Sequence, residues 1–357
     1  MITFEFATAT RIVFGAGKVK ELGTMIASFG KRPLLVRAPV TMDDLPEGVP
    51  FEVATEPTIG RVREGTELAR HEGCDVIVGF GGGSAMDTAK AIAALLANGG
   101  DPLDYVEVVG RGKPITKPSV PFIAVPTTAG TGAEVTRNAV LFSPEHQVKV
   151  SMRSPHMLAR LALVDPLLTL GLPPAVTAST GLDALTQVIE PFVSRKANPM
   201  TDAICREGMR RAARSLRRAF EHGDDVAARE DMSLASLFGG LALANAALGA
   251  VHGLAAPMGG MFPRAPHGAV CAALLAPVME MNARRAPNRE RFEEVRQIVG
   301  DIGELVRSLN VPGLRVYGVT EADFPVIIEK ALAASSMKGN PVSLSPNDLH
   351  DILSQAL

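Results

Sequence analysis

The stretch DVIVGFGGGSAMDTAK, residues 75–90, decides the fold of the first half of the chain. Its apolar start is typical of a buried strand, and Ser84 begins a predicted helix. Between them, Gly81, Gly82 and Gly83 have no side chains, which permits positive φ and close approach by a ligand. Phosphate oxygens suit this turn, because the free N–H groups and the positive dipole end of the helix converge there. We predict a phosphate-binding turn, with a plain strand-to-helix turn as the alternative. Its spacing is not the G-x-G-x-x-G of the dinucleotide fingerprint.

Short apolar runs alternate with helical patterns on either side of this turn. They predict strands at 11–15, 33–37, 75–81 and 121–128. Such alternation predicts a mainly parallel sheet covered by helices. Prolines then interrupt the chain, and the patterns beyond them predict helices at 175–192, 199–220, 224–249, 267–283, 288–309, 320–336 and 346–356. We therefore expect a dinucleotide-binding α/β domain over 1–165 and an all-helical catalytic or metal domain over 166–357.

A second polar loop, VPTTAGTGAEVT at residues 125–136, follows the end of an apparent strand. Thr127, Thr128 and Thr131 offer hydroxyl groups, and the glycines allow a ligand to approach the backbone. Ligands of open α/β sheets bind beyond the carboxyl ends of the strands. The two loops therefore predict contacts to the two ends of one phosphate-bearing cofactor, although threonine and glycine also make ordinary polar loops.

Composition argues against macromolecular partners. The 36 Lys and Arg residues nearly balance the 38 Asp and Glu residues, so no overall charge steers the protein to nucleic acid or an anionic membrane. We expect neither partner. The three cysteines, Cys74, Cys205 and Cys271, have no C-x-x-C spacing and are interpreted as small buried hydrophobes in a reducing compartment. Without a signal segment or a long apolar run, the sequence indicates a cytoplasmic protein.

In the second half, GLDALTQVIEPF at 181–192 places Asp183 and Gln187 four residues apart on one helix face. His252 and His267 lie in glycine-flanked contexts further along the chain. If these four side chains meet, imidazole and carboxylate suit Zn(II) or Fe(II), and the neutral amide is the weakest ligand among them. The alternative is that Asp183 and Gln187 hydrogen-bond polar groups inside a helical bundle.

Together these segments resemble the iron-containing (group III) alcohol dehydrogenases over nearly the whole chain. The resemblance implies a Rossmann-like N-terminal domain and an all-helical C-terminal domain, the dehydroquinate synthase-like fold, with an active site in the cleft between them. It also implies that the glycine-rich turn with Ser84 binds the cofactor diphosphate, and that the three threonines line its adenine and ribose side. Asp87 and Lys149 match further positions near the cofactor.

The family's metal is held by one aspartate and three histidines. Asp183, His252 and His267 match this set, whereas Gln187 stands at the remaining ligand position. Ala256 stands where the family has another histidine, which is associated with proton transfer. The resemblance thus implies either a weakened Fe(II) or Zn(II) site or a metal-free descendant like the maleylacetate reductases. In such a descendant His252 and His267 would act as hydrogen-bond donors or proton relays.

The preferred interpretation is an NAD(P)-dependent oxidoreductase that interconverts a small alcohol and its aldehyde or ketone by hydride transfer. The alternatives are a metal-independent reductase of an activated keto acid and a nucleotide-binding homologue with impaired catalysis. Arg37 ends a strand where many NAD-using relatives have an aspartate for the ribose 2′-OH, so we expect NADP to be tolerated or preferred. Resemblance also implies a homodimer.

Overall fold

The structure is a computed structural model that describes residues 2–39 and 45–357. It divides into two compact units. The α/β unit comprises Ala7–Thr128 and Ala133–Thr169. The helical unit comprises Leu170–Leu357, the short segment Ala129–Gly132 and the N-terminal residues up to Phe6. The domain boundary at residue 166 stays a prediction.

Strands of the α/β unit form a parallel sheet and a separate antiparallel hairpin. In chain order they are β1 Ile12–Phe14, β2 Pro33–Arg37, β3 Val49–Glu52, β4 Val76–Gly81, β5 Phe122–Pro126, β6 Asn138–Ser143, β7 Val148–Arg153 and β8 Leu161–Val164. The sheet has the order β1-β8-β5-β4-β2-β3, and β6 pairs with β7 in the hairpin. The four apolar runs correspond to β1, β2, β4 and β5. The sequence pattern did not predict β3 or the hairpin strands, because their alternating or sparse apolar residues cover only one face. It also missed the short apolar β8.

In the described part of the α/β unit, four α-helices accompany these strands: α1 Leu22–Ala27, α2 Ile59–His71, α3 Gly83–Asn98 and α4 Pro102–Tyr105. The sheet core is formed by aliphatic and aromatic side chains of β4, β5 and β8, including Val78, Phe80 and Ile123. Burial of these apolar surfaces is the main driving force for the unit. It places the carboxyl end of β4 and the start of α3 at one edge of the sheet.

Helices make up the remaining unit: α5 Pro174–Val193, α6 Pro199–Glu221, α7 Val226–Ala246, α8 Ala250–Met261, α9 His267–Arg285, α10 Glu290–Val299, α11 Ile302–Ser308, α12 Phe324–Ala333 and α13 Pro346–Ala356. The single helix predicted over 288–309 is wrong. Gly300, with φ of 82°, ends α10, and the side chain of Asp301 accepts from the Glu304 N–H to begin α11. The helix predicted at 320–336 is shorter, and 224–249 ends at Ala246.

One large apolar core, with α5 at its centre, holds the helical unit together. Leu182, Leu185 and Ile189 of α5 are fully buried in it. Among the helices of the described residues, none is alone long and apolar enough to cross a membrane; α7 and α8 meet the length and composition criteria only as a pair bent by 100°.

Candidate active site and metal centre

Three helices bring the predicted metal ligands together. Asp183 and Gln187 lie on α5, His252 lies near the start of α8, and His267 is the first residue of α9. The glycine after His267 allows this arrangement: a Cβ on Gly268 would lie 2.3 Å from the Ser179 carbonyl oxygen of α5. Backbone of α9 therefore approaches α5 closely only because residue 268 has no side chain.

The predicted ligands are close enough to share one ion. Asp183 Oδ1 lies 3.3 Å from Nε2 of His252 and 3.9 Å from Nε2 of His267. Asp183 is only 2% exposed, and its Oδ1 has no hydrogen-bond partner among the described residues. A buried carboxylate oxygen without a partner is costly unless a cation or proton neutralises it. Asp183, His252 and His267 therefore form a set that fits a divalent metal ion.

Glu190, which is not among the residues predicted from the sequence, fixes the orientation of His252. Its Oε2 lies 2.7 Å from His252 Nδ1, and its Oε1 accepts a hydrogen bond from the Val251 N–H at 2.7 Å. With Nδ1 engaged by the carboxylate, Nε2 of His252 faces Asp183. Such a carboxylate–histidine pair is typical of metal sites. Asp183, Gln187 and Glu190 share one helix face at spacings of four and three, and this was the signal available in the sequence.

Gln187 contacts Asp183 through its amide nitrogen, not through its oxygen. The Nε2–H group donates to Asp183 Oδ2 at 2.9 Å, whereas Oε1, the atom that would bind a metal, is buried without a hydrogen-bond partner among the described residues. In this orientation Gln187 holds the carboxylate of Asp183 in place. A ligand role for Gln187 stays a prediction.

Cys271 joins the same cluster, so its interpretation as a mere buried hydrophobe is incomplete. Its Sγ lies 3.6 Å from His267 Nε2. The candidate ligand atoms of Asp183, His252, His267 and Cys271 all lie within 4.8 Å of one another. His267 and Cys271 are four residues apart on α9, the same spacing as Asp183 and Gln187 on α5. That repeated spacing could have revealed the residue.

Charges in this cluster shift the pKa values of its members. Burial alone would lower the pKa of His252, but the Cys271 thiolate, Asp183 and Glu190 raise it well above its ordinary value. Burial opposes ionisation of Cys271, but the two histidines outweigh it and lower the pKa of the thiol. The same histidines lower the pKa of Asp183 against the effect of burial. The four groups together therefore stabilise bound positive charge.

The glycine-rich turn has the features expected of a diphosphate site. Helix α3 begins at Gly83, one residue before the predicted start, and its N-cap Gly82 has no side chain to bond the first N–H groups. Only Gly81 has a positive φ, 154°; a Cβ there would lie 2.8 Å from Cβ of Ala85. Gly82, with φ of −77°, and Gly83 do not adopt the positive φ that a glycine permits. Their lack of side chains instead leaves the helix N-terminus open to an anion.

Strand order places the second loop next to this turn. Strands β4 and β5 are parallel neighbours, with Gly81 opposite Pro126, and the Thr127 N–H donates to the Gly81 carbonyl at 2.9 Å. The side chain of Thr128 lies next to Gly82, since a Cβ on that glycine would lie 3.4 Å from the threonine Oγ1. Thr131 belongs to the segment Ala129–Gly132, which is part of the helical unit.

The remaining predicted cofactor residues lie in the α/β unit. Arg37 ends β2 opposite Phe80 of β4, and its Nε is buried without a hydrogen-bond partner among the described residues. Strands β2 and β4 are neighbours in the sheet, but the chain continues from β2 to β3 on one side and from β4 to β5 on the other. The strand order therefore reverses between β2 and β4. Ligands of α/β sheets bind at such a switch of strand order.

Asp87 and Lys149 have structural partners. Asp87 Oδ2 accepts from the Val140 N–H at 3.0 Å, so it ties α3 to β6. Burial raises the pKa of Asp87. Lys149 forms an ion pair with Glu56 at 2.9 Å. These contacts supply a structural reason for both residues, and their roles toward the cofactor stay predictions.

Comparison with known proteins identifies the family. The models "Iron-containing alcohol dehydrogenase" and "Fe-containing alcohol dehydrogenase family, C-terminal" match residues 9–166 and 177–357. Alcohol dehydrogenase 4 of Schizosaccharomyces pombe is 37% identical over 317 residues, 85% of this chain and 74% of that protein. The 1,3-propanediol dehydrogenase of Citrobacter freundii is 38% identical over 322 residues, 85% of this chain and 81% of that protein.

A crystal structure of a 1,3-propanediol oxidoreductase has a TM-score of 0.92 at 34% identity and covers 100% of both chains. The predicted fold class is thereby confirmed, and so is the predicted activity, interconversion of an alcohol and its carbonyl product. The matches give no support to the alternative of a metal-independent keto acid reductase. The chain belongs to the iron-containing alcohol dehydrogenase family, which uses NAD(P) and iron.

Proposed function

We propose that the chain interconverts a short primary alcohol and its aldehyde by metal-assisted hydride transfer with NADP or NAD. One observation carries this proposal: the buried Asp183 Oδ1 lacks a hydrogen-bond partner among the described residues and faces two imidazole Nε2 atoms. Two of the relatives described above are named for 1,3-propanediol, so a diol of this size is the first substrate to test.

Each group of residues has a separate task in this proposal. When bound, the metal polarises the substrate oxygen as a Lewis acid, and NAD(P)H supplies the hydride. Asp183, His252 and His267 would hold the metal, and Gly81, Gly82, Gly83 and Ser84 would bind the cofactor diphosphate at the start of α3. Glu190 keeps His252 in one orientation, and Gln187 does the same for Asp183. Preorganised side chains of this kind need no rearrangement during the reaction.

Both histidines belong to the proposed catalytic set. Their Nε2 atoms face the same oxygen of Asp183, so both rings lie where a metal ion or a proton would neutralise that carboxylate. The side chain of His267 is 37% exposed, whereas that of His252 is 8% exposed. His267 is therefore the member of the cluster that solvent reaches most easily.

The decisive experiment combines metal analysis with turnover. Protein purified without chelator is assayed for Fe and Zn, depleted with a chelator, and reloaded with Fe(II) or Zn(II). Oxidation of NADPH and NADH by 3-hydroxypropanal and other short aldehydes is then followed. We expect activity to fall with metal removal and return with reloading. Undiminished activity in the depleted protein would contradict the metal-assisted proposal, and binding of NADPH without any turnover would contradict the enzymatic one.

We also propose a cytoplasmic homodimer with no nucleic-acid or membrane partner. The balance of charges and the three unpaired thiols support the compartment and the absence of those partners. Family resemblance alone supports the dimer. Light scattering coupled to size-exclusion chromatography tests it: a mass of twice 37.6 kDa is expected, and a mass of 37.6 kDa would contradict it.

A further inference from the structure

Cys271 lies within the cluster of candidate metal ligands, with its Sγ next to His267. The family's set of one aspartate and three histidines is incomplete in this chain, because Gln187 replaces one imidazole. Gln187 presents its amide N–H, not its oxygen, to Asp183. Across the cluster, the fully buried Cys271 presents its sulfur to His267. A sulfur donor is thus available on α9, whereas the second candidate donor of α5 is a neutral amide.

We propose that the Cys271 thiolate is the fourth protein ligand of the metal, in place of the missing imidazole, and that the site therefore selects Zn(II) over Fe(II). This inference rests on the proposed metal-assisted function. It adds to that function a ligand set of one carboxylate, two imidazoles and one thiolate, to which the substrate oxygen would add as a fifth ligand during the reaction.

Distances within the cluster support the assignment. Around a tetrahedral zinc ion with its usual bond lengths, two nitrogen or oxygen ligands lie about 3.3 Å apart, and a sulfur and a nitrogen ligand lie about 3.6 Å apart. The structure has 3.3 Å between Asp183 Oδ1 and His252 Nε2, and 3.6 Å between Cys271 Sγ and His267 Nε2. These two pairs are therefore spaced as ligands of one ion, whereas Asp183 Oδ1 and His267 Nε2, at 3.9 Å, would have to approach by about 0.6 Å.

An independent observation points to a cation at this place. Asp183 is 2% exposed and its Oδ1 has no hydrogen-bond partner in the described part of the chain. Glu190 already occupies Nδ1 of His252, so Nε2 of that ring remains for a ligand interaction. An oxygen, two nitrogens and a sulfur thus converge on one position.

Ligand chemistry decides the metal. Replacing an imidazole by a thiolate makes the set softer, and thiolate ligands favour zinc. Zn(II) also binds more tightly than Fe(II) to most nitrogen, oxygen and sulfur sites. The expected resident ion is therefore zinc, although the family is named for iron.

The test examines the metal's coordination shell directly. The full chain is loaded with zinc, and X-ray absorption at the zinc edge is measured; a parallel sample is loaded with Co(II) and its absorption spectrum recorded. We expect one sulfur scatterer at about 2.3 Å and a sulfur-to-cobalt charge-transfer band in the near ultraviolet. Both signals should vanish in Cys271→Ala, with zinc affinity reduced at least tenfold. Cys205→Ala, which removes another fully buried thiol of the helical unit, should keep them.

Several outcomes would overturn the proposal. A zinc shell without sulfur in the unmodified protein does so even if Cys271→Ala fails to fold. Unchanged zinc affinity in a folded Cys271→Ala protein also does so. If the enzyme depends on metal for turnover but shows no sulfur ligand, only the role of Cys271 fails. If the protein retains no metal at all, the metal-assisted function fails with it.

Discussion

Glu190 Oε2 lies 2.7 Å from Nδ1 of His252, with the glutamate 1% and the histidine 7% exposed. The pair connects α5 to α8 inside the helical core. Because Glu190 occupies Nδ1, only Nε2 of the His252 ring remains for a metal.

Replacing this carboxylate should weaken metal binding. We expect Glu190→Gln to lower zinc affinity by about 10–100-fold, because the histidine loses the charged partner that orients it and increases its basicity. Competition with a chromogenic chelator measures the affinity. Glu304→Gln, an exposed glutamate of the same unit, is the control and should bind zinc normally. Equal affinities for the two variants would show that Glu190 does not support the site.

The residue at position 187 and Cys271 should be energetically coupled. Gln187→His restores a third imidazole to the cluster. We therefore expect Cys271→Ala to reduce zinc affinity much less in the Gln187→His background than in the unmodified chain. The four proteins form a double-mutant cycle, in which contacts to one shared ion produce non-additive free energies. Strictly additive losses would mean that the two positions do not serve the same ion.

Two neighbouring glycines should respond differently to alanine. In Gly81→Ala the new methyl group would lie 2.8 Å from Cβ of Ala85, and the backbone φ of 154° is unfavourable for alanine. We therefore expect a stability loss of about 1–3 kcal/mol. Gly82→Ala meets Thr128 at ordinary contact distance, 3.4 Å, and should fold normally. Its methyl group instead occupies the approach to the helix N-terminus, and NADPH affinity should fall about tenfold, near 1.4 kcal/mol. Thermal unfolding and fluorescence titration separate the two effects; unaltered NADPH binding by Gly82→Ala would argue against the turn as the diphosphate site.

Arg37 should determine the preference between NADPH and NADH. We expect Arg37→Asp to shift the ratio of their Kd values toward NADH by about 10–100-fold, because a charge-assisted contact to the 2′-phosphate contributes about 1.5–3 kcal/mol. Lys31→Asp, an equal change of charge before the other end of β2, is the control. A ratio that Arg37→Asp leaves unaltered would refute this assignment, as would a large preference of the unmodified enzyme for NADH in steady-state assays.

Glu134 should make stability depend on pH. This side chain is 2% exposed, its Oε2 has no hydrogen-bond partner among the described residues, and burial raises its pKa to about 7. Its unfolded pKa is about 4.3. Between these values the folded state holds more protons, so its contribution to the free energy of unfolding decreases as pH rises from about 4.5 to about 7 and is constant above.

Urea unfolding from pH 5 to pH 8 measures this effect. Relative to the unmodified protein, Glu134→Gln should become progressively more stable up to about pH 7 and then stay constant, with a change of up to about 3 kcal/mol, because the amide does not ionise. Glu145→Gln, at an exposed position, is the control. A stability difference for Glu134→Gln that is the same at every pH would contradict the buried charge.

The sequence by itself determined the local elements and the chemistry-bearing residues that repeat a family pattern. Continuous apolar runs identify β2 and β4 because such strands are buried on both faces. Glycine at residue 81 and the helix after it likewise follow from local conformational limits. The family resemblance, and not the residue spacing, predicted that Asp183 lies with His252 and His267 in one site.

Tertiary structure alone decided which helix faces meet. Spacing of four residues places Asp183 with Gln187 and His267 with Cys271, but it does not say what lies opposite each pair. Close packing of α9 on α5 at Gly268 brings these pairs together, and the hydrogen bond that the Val251 N–H of α8 donates to Glu190 holds the start of α8 beside them. Residues 183, 252 and 271 lie on three different helices, and only burial of those helices in one core brings their side chains into one cluster.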